Sequence, residues 1–314
     1  MVCRGLTASD VPMTLILSQI AASRGPMAAF VAMGVVWGVF MASMPDLKAG
    51  LGVSDGQLGR LLLAGSVMAI TMMLLAPRLG GWLGRAAVPL GTAMMGLGVV
   101  LPAQAATPVF FVGALMVMGG ATGALDVWMN ARLSTIEAAR GMALMNLNHA
   151  VYSFAYAGAA GLTGLARAAG FTPVAILGAA GLVVLVLAAL SHERGGWIDG
   201  FVRGAAARSG GRLGMVPLLA GFVILVAFLT ENAAEAWSAL YIERDLGGGT
   251  GAGSAGPALL GLTMGLGRLA GQVVASRVAD QVLLRGGLAL AALGGIAVIV
   301  LESRQRKREY GVVC

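Results

Sequence analysis

The chain contains nine apolar stretches, each close to the length that a helix needs to cross a lipid bilayer, separated by short polar turns. The hydrocarbon core of a bilayer is roughly 30 Å thick, so a spanning helix takes about 20 residues. With 58% apolar and 11% charged residues, the chain lacks the polar surface of a soluble protein. We therefore predict an all-α membrane protein. Its expected spans are residues 27–45, 58–77, 86–105, 108–129, 142–165, 172–191, 214–234, 256–275 and 286–301.

The spans are predicted to be helices, because backbone in lipid must satisfy its own hydrogen bonds and only helices and closed barrels do so. A barrel strand alternates apolar and polar residues over about ten positions, whereas the run from Ala175 to Leu190 is apolar on every face. The 49 glycines agree with membrane helices, since small residues let two backbones approach. Two pairs have the four-residue spacing of such contacts: Gly261 with Gly265, and Gly267 with Gly271.

The positive charges predict the orientation, because cytoplasmic loops of membrane proteins carry an excess of Lys and Arg. With the N-terminus inside, twelve residues fall on the inner side: Arg4, Arg24, Arg78, Arg85, Arg132, Arg140, Arg194, Arg203, Arg208, Arg212, Arg277 and Arg285. Four fall outside: Lys48, Arg60, Arg167 and Arg244. We therefore predict a cytoplasmic N-terminus. The net charge of +7 reflects this topology, and we expect no nucleic-acid partner.

The two ends of the chain carry separate predictions. The apolar run 11–22 resembles a signal peptide, but Asp10 and the span that follows closely favour an uncleaved cytoplasmic extension, residues 1–26. The polar tail 302–314 follows the shortest apolar run and places four basic residues outside, against the charge rule. We interpret this tail as non-native, the end of a shortened chain. The alternative is a ninth segment that does not cross.

The longest hydrophilic connection predicts a division into halves. Residues 192–213 follow six spans and form the expected cytoplasmic linker between an N-terminal half, 27–191, and an incomplete second half, 214–301. A short repeat agrees with this division, because Ala76-Pro77-Arg78-Leu79-Gly80 and Ala275-Ser276-Arg277-Val278-Ala279 both follow the second span of a half. The only cysteines, Cys3 and Cys314, lie at the termini, so we expect no disulfide framework, metal site or cofactor.

Several segments resemble the major facilitator superfamily of transporters, in particular its bacterial fucose-permease-like branch. They are residues 123–130 (GALDVWMN), 145–153 (MNLNHAVYS), 231–241 and 267–271 (GRLAG). The resemblance implies two parallel six-helix halves that move a small organic solute across the bacterial cytoplasmic (inner) membrane by alternating access. The family has twelve spans, so this chain would hold six N-terminal spans and about three of the second half.

The loop after the second span departs from the family pattern. Gly84 and Arg85 match it, but Gly81 stands where the family carries an aspartate, and in the second half Asp280 keeps that acid. The resemblance implies an inner-loop conformational switch. Its candidate residues are Arg78, Gly84, Arg85, Arg268, Arg277 and Asp280.

Polar residues inside the spans are the candidate substrate or proton pathway, because ionisable groups there usually face a cavity or another helix. Asp126 and Asn130 lie four apart and share a face of the fourth span. Asp126 either couples protons or substrate, or braces a neighbouring helix by pairing with an inner-loop arginine. In the fifth span, Asn146, His149, Ser153 and Tyr156 form one stripe, beside Tyr152. This stripe either lines a cavity or holds helices together.

The seventh span adds Glu231, Asn232 and Glu235. Two carboxylates four residues apart repel unless one is protonated or a cation lies between them, which favours Glu231 as a proton site. Glu235, together with Trp237 and Tyr241, is expected at the outer membrane surface, where aromatic residues are common.

No nucleotide-binding loop of the Gly-Lys-Ser/Thr type is present, so an ATP-driven pump is not expected. We predict a monomeric, non-enzymatic secondary transporter of a sugar-like or drug-like solute, coupled to protons. A non-transporting remnant of such a transporter is the alternative. A remote alternative is an intramembrane hydrolase that uses His149 as base and Ser153 as nucleophile.

Overall fold

The computed structural model describes residues 13–198, 201, 215–275, 278, 281–282, 285–296 and 300, and in these residues every regular element is a helix. Residues up to Leu266 belong to one compact unit, and those from Gly267 onward to a second. Several predictions fall outside the described residues. They concern residues 1–12, most of the linker 192–213, the switch candidates Arg277 and Asp280, and the tail 302–314.

The helices follow the predicted spans closely in the middle of the chain. They are α1 (Met13–Ala42), α2 (Met44–Leu51), α3 (Asp55–Leu83), α4 (Ala87–Gly98), α5 (Pro108–Arg140), α6 (Met145–Ala168), α7 (Pro173–Leu190), α8 (Met215–Leu240) and α9 (Ala255–Ala275). Short 3-10 helices cover Gly84–Ala86, Leu101–Gln104 and Ala252–Ser254, and Tyr241–Asp245 forms one π-helical turn. In the second unit, Arg285–Ile296 is a further apolar helix.

Several helix boundaries differ from the predictions: α3 ends at Leu83 and α8 at Leu240, each six residues beyond its predicted span. Helix α1 begins at Met13, so half of the predicted extension 1–26 is helical and continues through Pro26 into the first span. The expected outer loop after that span contains the short helix α2, which begins at Met44 with Pro45 in its first turn. Helix α5 continues to Arg140, well beyond the predicted end at residue 129, because polar residues extend it past the apolar span.

Capping residues explain where several helices begin and end. Ser54 and Gln57 form a reciprocal capping box at the start of α3. Thr107 and Thr172 cap α5 and α7, and a proline follows each of them at the first helical position. Helix α5 ends at Gly141, whose φ of 63° is the left-handed conformation that glycine adopts without strain.

Of the described residues, five segments are long and apolar enough to cross a membrane: Leu17–Ala42, Asp55–Gln104, Pro108–Arg140, Pro173–Leu190 and Gly221–Asp245. Helices α6 and α9 are not among them, so the nine predicted spans do not all reappear by this measure. Large apolar side chains are exposed along the helices, including Leu74, Trp82 and Val109. An exposed apolar surface of this kind suits lipid rather than water.

Apart from the short helix α2, the helices from α1 to α7 pack as three pairs, α1 with α6, α3 with α5, and α4 with α7. If α1, α3 and α4 are one triplet and α5, α6 and α7 a second, the first helix of each triplet packs against the second helix of the other, and the third helices pack together. Exchanging the triplets leaves the set of pairs unchanged. The six helices therefore have an approximate internal two-fold arrangement.

Glycines permit these close contacts. A Cβ atom at Gly34 or Gly38 of α1 would overlap the backbone oxygens of Tyr152 and Tyr156 in α6. Gly119 and Gly123 of α5 approach the backbone of α3 in the same way. The predicted contact at Gly261 and Gly265 is confirmed, because both pack on α6, whereas Gly267 and Gly271 meet no heavy atom within 4 Å in the described part of the chain.

Candidate functional site

Arg167, in the last turn of α6, joins segments that are far apart in the sequence. Its guanidinium donates two hydrogen bonds of 2.7 Å to the carboxylate of Asp46 in α2, and bonds of 2.6 and 3.0 Å to Glu243 after α8. It also donates to the backbone oxygen of Ala42, at 3.1 Å. The side chain of Arg167 is fully buried. One arginine thus makes two bidentate ion pairs, and we call the end of the bundle where it lies the Arg167 end.

Glu243 is held from its other side by backbone. Its Oε1 accepts hydrogen bonds from the N–H groups of Gly251 and Gly253, at 3.1 and 3.2 Å. The turn around Gly251 packs directly on α6, because a Cβ at Gly164 would lie 2.7 Å from the Cβ of Ser254. The segment between α8 and α9 is therefore fixed to the end of α6 by both charge and packing.

A second ion cluster lies at the same end but near the surface. Asp55, at the start of α3, pairs with Lys48 at 2.7 Å and with Arg244 at 2.6 Å. Arg244 and Asp55 are 48% and 43% exposed, so solvent screens this pair far more than the pairs of Arg167.

In the middle of the bundle, the structure brings three sequence-predicted site residues together. The amide nitrogen of Asn130 donates to Asp126 Oδ1 at 3.1 Å, and Asn130 Oδ1 lies 3.1 Å from His149 Nε2. The imidazole also packs edge-on against Phe30 of α1, with 4.9 Å between ring centroids. Asp126, Asn130 and His149 thus form one hydrogen-bonded group that joins α5 to α6, and two of its members, Asp126 and His149, are titratable.

The residues of the predicted stripe on α6 differ in burial. Ser153 is buried and donates to the backbone oxygen of His149 at 3.0 Å, whereas Asn146 is exposed. Tyr152 is half-buried, with its ring 6.3 Å from that of Tyr156. Because the Ser153 hydroxyl bonds to a carbonyl, the hydrolase alternative receives no support from this geometry.

Tyr156 is the largest fully buried side chain, and its hydroxyl has no hydrogen-bond partner among the residues that the structure describes. The carboxylates of Glu231 and Glu235 in α8 are near enough to act on this phenol electrostatically. Leaving a buried hydroxyl unpaired costs about 1–3 kcal/mol. Such a group is expected where a ligand, a water molecule or a rearranged side chain completes the site.

Glu235, predicted at the outer membrane surface, is buried by protein contacts. It is only 8% exposed, because α8 continues to Leu240 and its last turns pack on α1 and α2. Glu231 is half-buried and Asn232 is exposed. Among the aromatic residues, Trp237 is half-buried and Tyr241 is exposed, so only Tyr241 has the exposure expected of a surface residue.

The opposite end, which we call the Arg132 end, contains a crevice of about 550 Å³ between the start of α1, the end of α5 and the segment after α7. Arg132 lies in its wall and donates to Glu193 at 2.7 Å and to the backbone oxygen of Trp197 at 3.0 Å. Gly25 lets Glu193 lie against α1, because a Cβ there would be 2.5 Å from Glu193 Cγ. Ion pairs therefore join several elements at the Arg167 end, and a crevice lies at the Arg132 end.

Comparison with known proteins identifies the family of the chain. The chain is 30% identical over 284 residues to an uncharacterized MFS-type transporter from Yersinia pestis, a match that covers 88% of this chain and 71% of that protein. The chain belongs to the major facilitator superfamily. No family model and no solved structure matches it.

Within the superfamily resemblance, the missing acid at Gly81 has a steric explanation. A Cβ at Gly81 would lie 2.6 Å from the backbone oxygen of Phe201, and a Cβ at Gly80 would lie 2.7 Å from the Phe201 ring. Gly84, with φ of 59°, lies under the ring of Trp197 in the same way. The segment after α7 thus fills the space beside α3 that a side chain at Gly81 would need.

The other switch candidates are only partly placed by the structure. Arg78 and Arg85 are exposed, and Arg268 is half-buried in α9. Within residues 13–198 and the further described segments, no ion pair of Arg78 or Arg85 is present. Their role in a superfamily-type switch stays a prediction.

Two residues in the superfamily-like segments, or adjacent to them, have structural roles. The indole of Trp128 donates to the backbone oxygen of Ala76 at 2.7 Å and so joins α5 to α3. Glu137, expected in a loop, lies within α5, and its carboxylate accepts from the N–H of Met145 at 2.8 Å at the start of α6. Both contacts hold α5 in position, which in turn positions Asp126 and Asn130.

Sequence reasoning missed the charged residues at the Arg167 end. The sequence analysis counts Arg167 only as an outer-side positive charge and makes no prediction for Asp46 or Glu243, which lie 121 and 76 residues from it in the chain. The available signal was the position of Arg167 inside an otherwise apolar helix end. A buried arginine at such a place requires carboxylate partners.

Proposed function

We propose that the chain is a secondary transporter that moves a small organic solute by alternating access. The observation that carries the proposal is the double ion pair of Arg167, which joins α2 and α6 to the segment after α8. A contact of this kind, buried and directional, can be present in one conformation and absent in another. The intact ion pairs support a state in which the Arg167 end is closed.

The proposed orientation places the Arg132 end in the cytoplasm of a bacterial cell, with the N-terminus inside the inner membrane. The crevice wall contains Arg24, Arg132, Arg140 and Arg194, all assigned to the inner side by the charge rule. Lys48, Arg167 and Arg244, assigned to the outer side, occur together at the other end. The agreement between charge pattern and three-dimensional position supports this orientation.

We propose proton coupling through two groups of residues. The first group is Asp126, Asn130 and His149. The second is Glu231 with Glu235 near Tyr156, whose hydroxyl has no hydrogen-bond partner among the described residues. Ionisable groups within membrane-spanning segments are rare and commonly mark a substrate or proton pathway. In this scheme the solute is sugar-like or drug-like, as in the fucose-permease-like branch, and its polar groups bind along α6 and α8.

Transport by the 314-residue chain in liposomes tests the proposal. The liposomes contain a pH-sensitive dye and are supplied with panels of neutral sugars and of aromatic drug-like solutes. We expect one panel to cause proton movement that depends on the solute. If the inserted protein takes up no solute and moves no protons with either panel, the proposed function is wrong.

Substitution of Glu231 tests the coupling. Glu231→Gln keeps the size and hydrogen bonding of the side chain but cannot carry a proton, so uphill accumulation should stop while exchange of solute across the membrane continues. Thr230→Val, the adjacent residue on the exposed side of α8, is the matched control and should accumulate solute normally. Uphill accumulation that is unchanged in Glu231→Gln would remove this residue from the mechanism and leave Asp126 as the coupling group.

A further inference from the structure

The crevice at the Arg132 end has a charge distribution that transport does not require. Its charged and titratable wall residues are Arg24, Arg132, Arg140, His192, Glu193 and Arg194. Four guanidinium groups thus surround one carboxylate, which leaves a net charge of +3 with His192 neutral. The wall also includes the small side chains of Ala21 and Ala22.

The only carboxylate in the wall is already engaged. Glu193 accepts from Arg132 at 2.7 Å, and their side chains are 15% and 13% exposed. Arg132 uses a second donor for the backbone oxygen of Trp197. Arg24, Arg140 and Arg194 form no ion pair and no hydrogen bond with any residue in the described part of the chain. These three cations line one concavity, and none of them is paired with a carboxylate of the described residues.

Like charges around a concave surface raise the local electrostatic potential and attract anions. Arginine binds phosphate especially well, because its planar fork matches two phosphate oxygens at once. The crevice volume of about 550 Å³ lies within the range of small-molecule sites and exceeds the space that a bare phosphate ion fills. Its chemistry therefore fits a phosphate group that carries an organic substituent.

We propose that this crevice is a binding site for a phosphate ester, held by Arg24, Arg140 and Arg194 while the Arg132–Glu193 pair fixes the wall behind them. Two sources offer that chemistry, the glycerol-phosphate headgroup of an anionic phospholipid and a soluble phosphate ester of the cytoplasm. Basic pockets between membrane helices bind headgroups in this manner. The site is separate from Asp126, His149 and Glu231, so it acts on the stability or conformation of the protein rather than on solute recognition.

Binding to the intact 314-residue chain in neutral detergent tests the site. Native mass spectrometry counts bound dioctanoyl phosphatidylglycerol and, in parallel, dioctanoyl phosphatidylcholine, whose choline cancels the charge of the phosphate. Equilibrium dialysis measures radiolabelled glycerol 3-phosphate and inorganic phosphate. The variants are Arg140→Gln, Arg194→Gln and the triple substitution at Arg24, Arg140 and Arg194. The matched control is Arg60→Gln, an exposed arginine at the opposite end.

Each lost arginine should weaken binding about fivefold and the triple substitution about a hundredfold, with Arg60→Gln unchanged. Binding should also weaken as salt is added. Preferential binding of phosphatidylglycerol that depends on these arginines would identify the ligand as a lipid headgroup. Binding of glycerol 3-phosphate in the absence of lipid would identify it as a soluble phosphate ester. Either result supports the proposal. Equal binding by Arg140→Gln and Arg60→Gln, or phosphatidylcholine binding as tightly as phosphatidylglycerol, would overturn it.

Discussion

Replacement of Arg167 by glutamine should open the Arg167 end of the bundle. The substitution removes four charge-assisted hydrogen bonds to Asp46 and Glu243 and leaves both carboxylates close together. Loss of one partner of a buried ion pair destabilises the paired state by about 3–5 kcal/mol. The side chains of Asp46 and Glu243 are 29% and 15% exposed, so water partly solvates the carboxylates that lose their partner. We therefore take the lower end of this range, about 3 kcal/mol. About 3 kcal/mol corresponds to roughly a hundredfold larger open population.

Cysteine labelling at Ser254 measures this opening. Ser254 lies beneath the ion pairs, is 1% exposed, and has its hydroxyl 3.5 Å from the backbone oxygen of Ala42. With Cys3 and Cys314 replaced by serine, a Ser254→Cys protein should react slowly with a charged maleimide. Because labelling requires the open state, Arg167→Gln should raise the rate about a hundredfold, up to the rate of a fully open protein.

The exposed pair at the same end supplies the control. Arg244→Gln also removes an arginine that binds a carboxylate, but a surface pair contributes at most about 1 kcal/mol, which is a fivefold change or less. The two variants should therefore differ clearly in labelling rate. Equal rates in Arg167→Gln and the unsubstituted protein, or equal rates in both arginine variants, would refute the reasoning that burial makes Arg167 the closing contact.

Two further substitutions test the packing. Gly38→Leu should lower the free energy of unfolding by about 1–3 kcal/mol or more, because the leucine side chain would separate α1 from α6. Gly158→Leu, on an open face of α6, should be tolerated. Equal thermal stability of the two variants would contradict the proposed contact. Gly81→Asp, which restores the acid of the family pattern, should lower the melting temperature because Phe201 occupies the site, and Phe201→Ala should recover part of the loss. No recovery in that double variant would show that the clash lies elsewhere.

Helix positions were predictable because each apolar run needs about 20 residues to cross lipid, and α7 begins and ends within one residue of its predicted span. The polar end of α5, up to Arg140, was not predictable from hydropathy, since helix propensity and tertiary contacts extend the helix there. The face shared by Asp126 and Asn130 follows from helical periodicity. Their link to His149, in the next helix, depends on how α5 and α6 pack and has no counterpart in a local pattern.

The Arg167 pairs and the glycine at position 81 show the same limit. Each depends on a partner more than 70 residues away, so no window of sequence contains both members. In the sequence, Arg167 is recognisable only as a charge next to an apolar span, and Gly81 only as a departure from the family pattern. Only the fold identifies what satisfies the charge and what fills the space.

The reciprocal pairing of the two helix triplets has a consequence for how the protein is made. The glycine face of α1 is complete only when α6 packs on it, and Arg167 near the end of α6 lies 125 residues after Ala42 at the end of α1. At about 5–20 residues per second, a ribosome needs about 6–25 s to synthesise that interval. During this time α1 stays in the membrane without its partner, with its glycines against lipid or against the insertion machinery. The first triplet therefore cannot reach its final packing during its own synthesis, and the six helices must assemble after the second triplet has entered the bilayer.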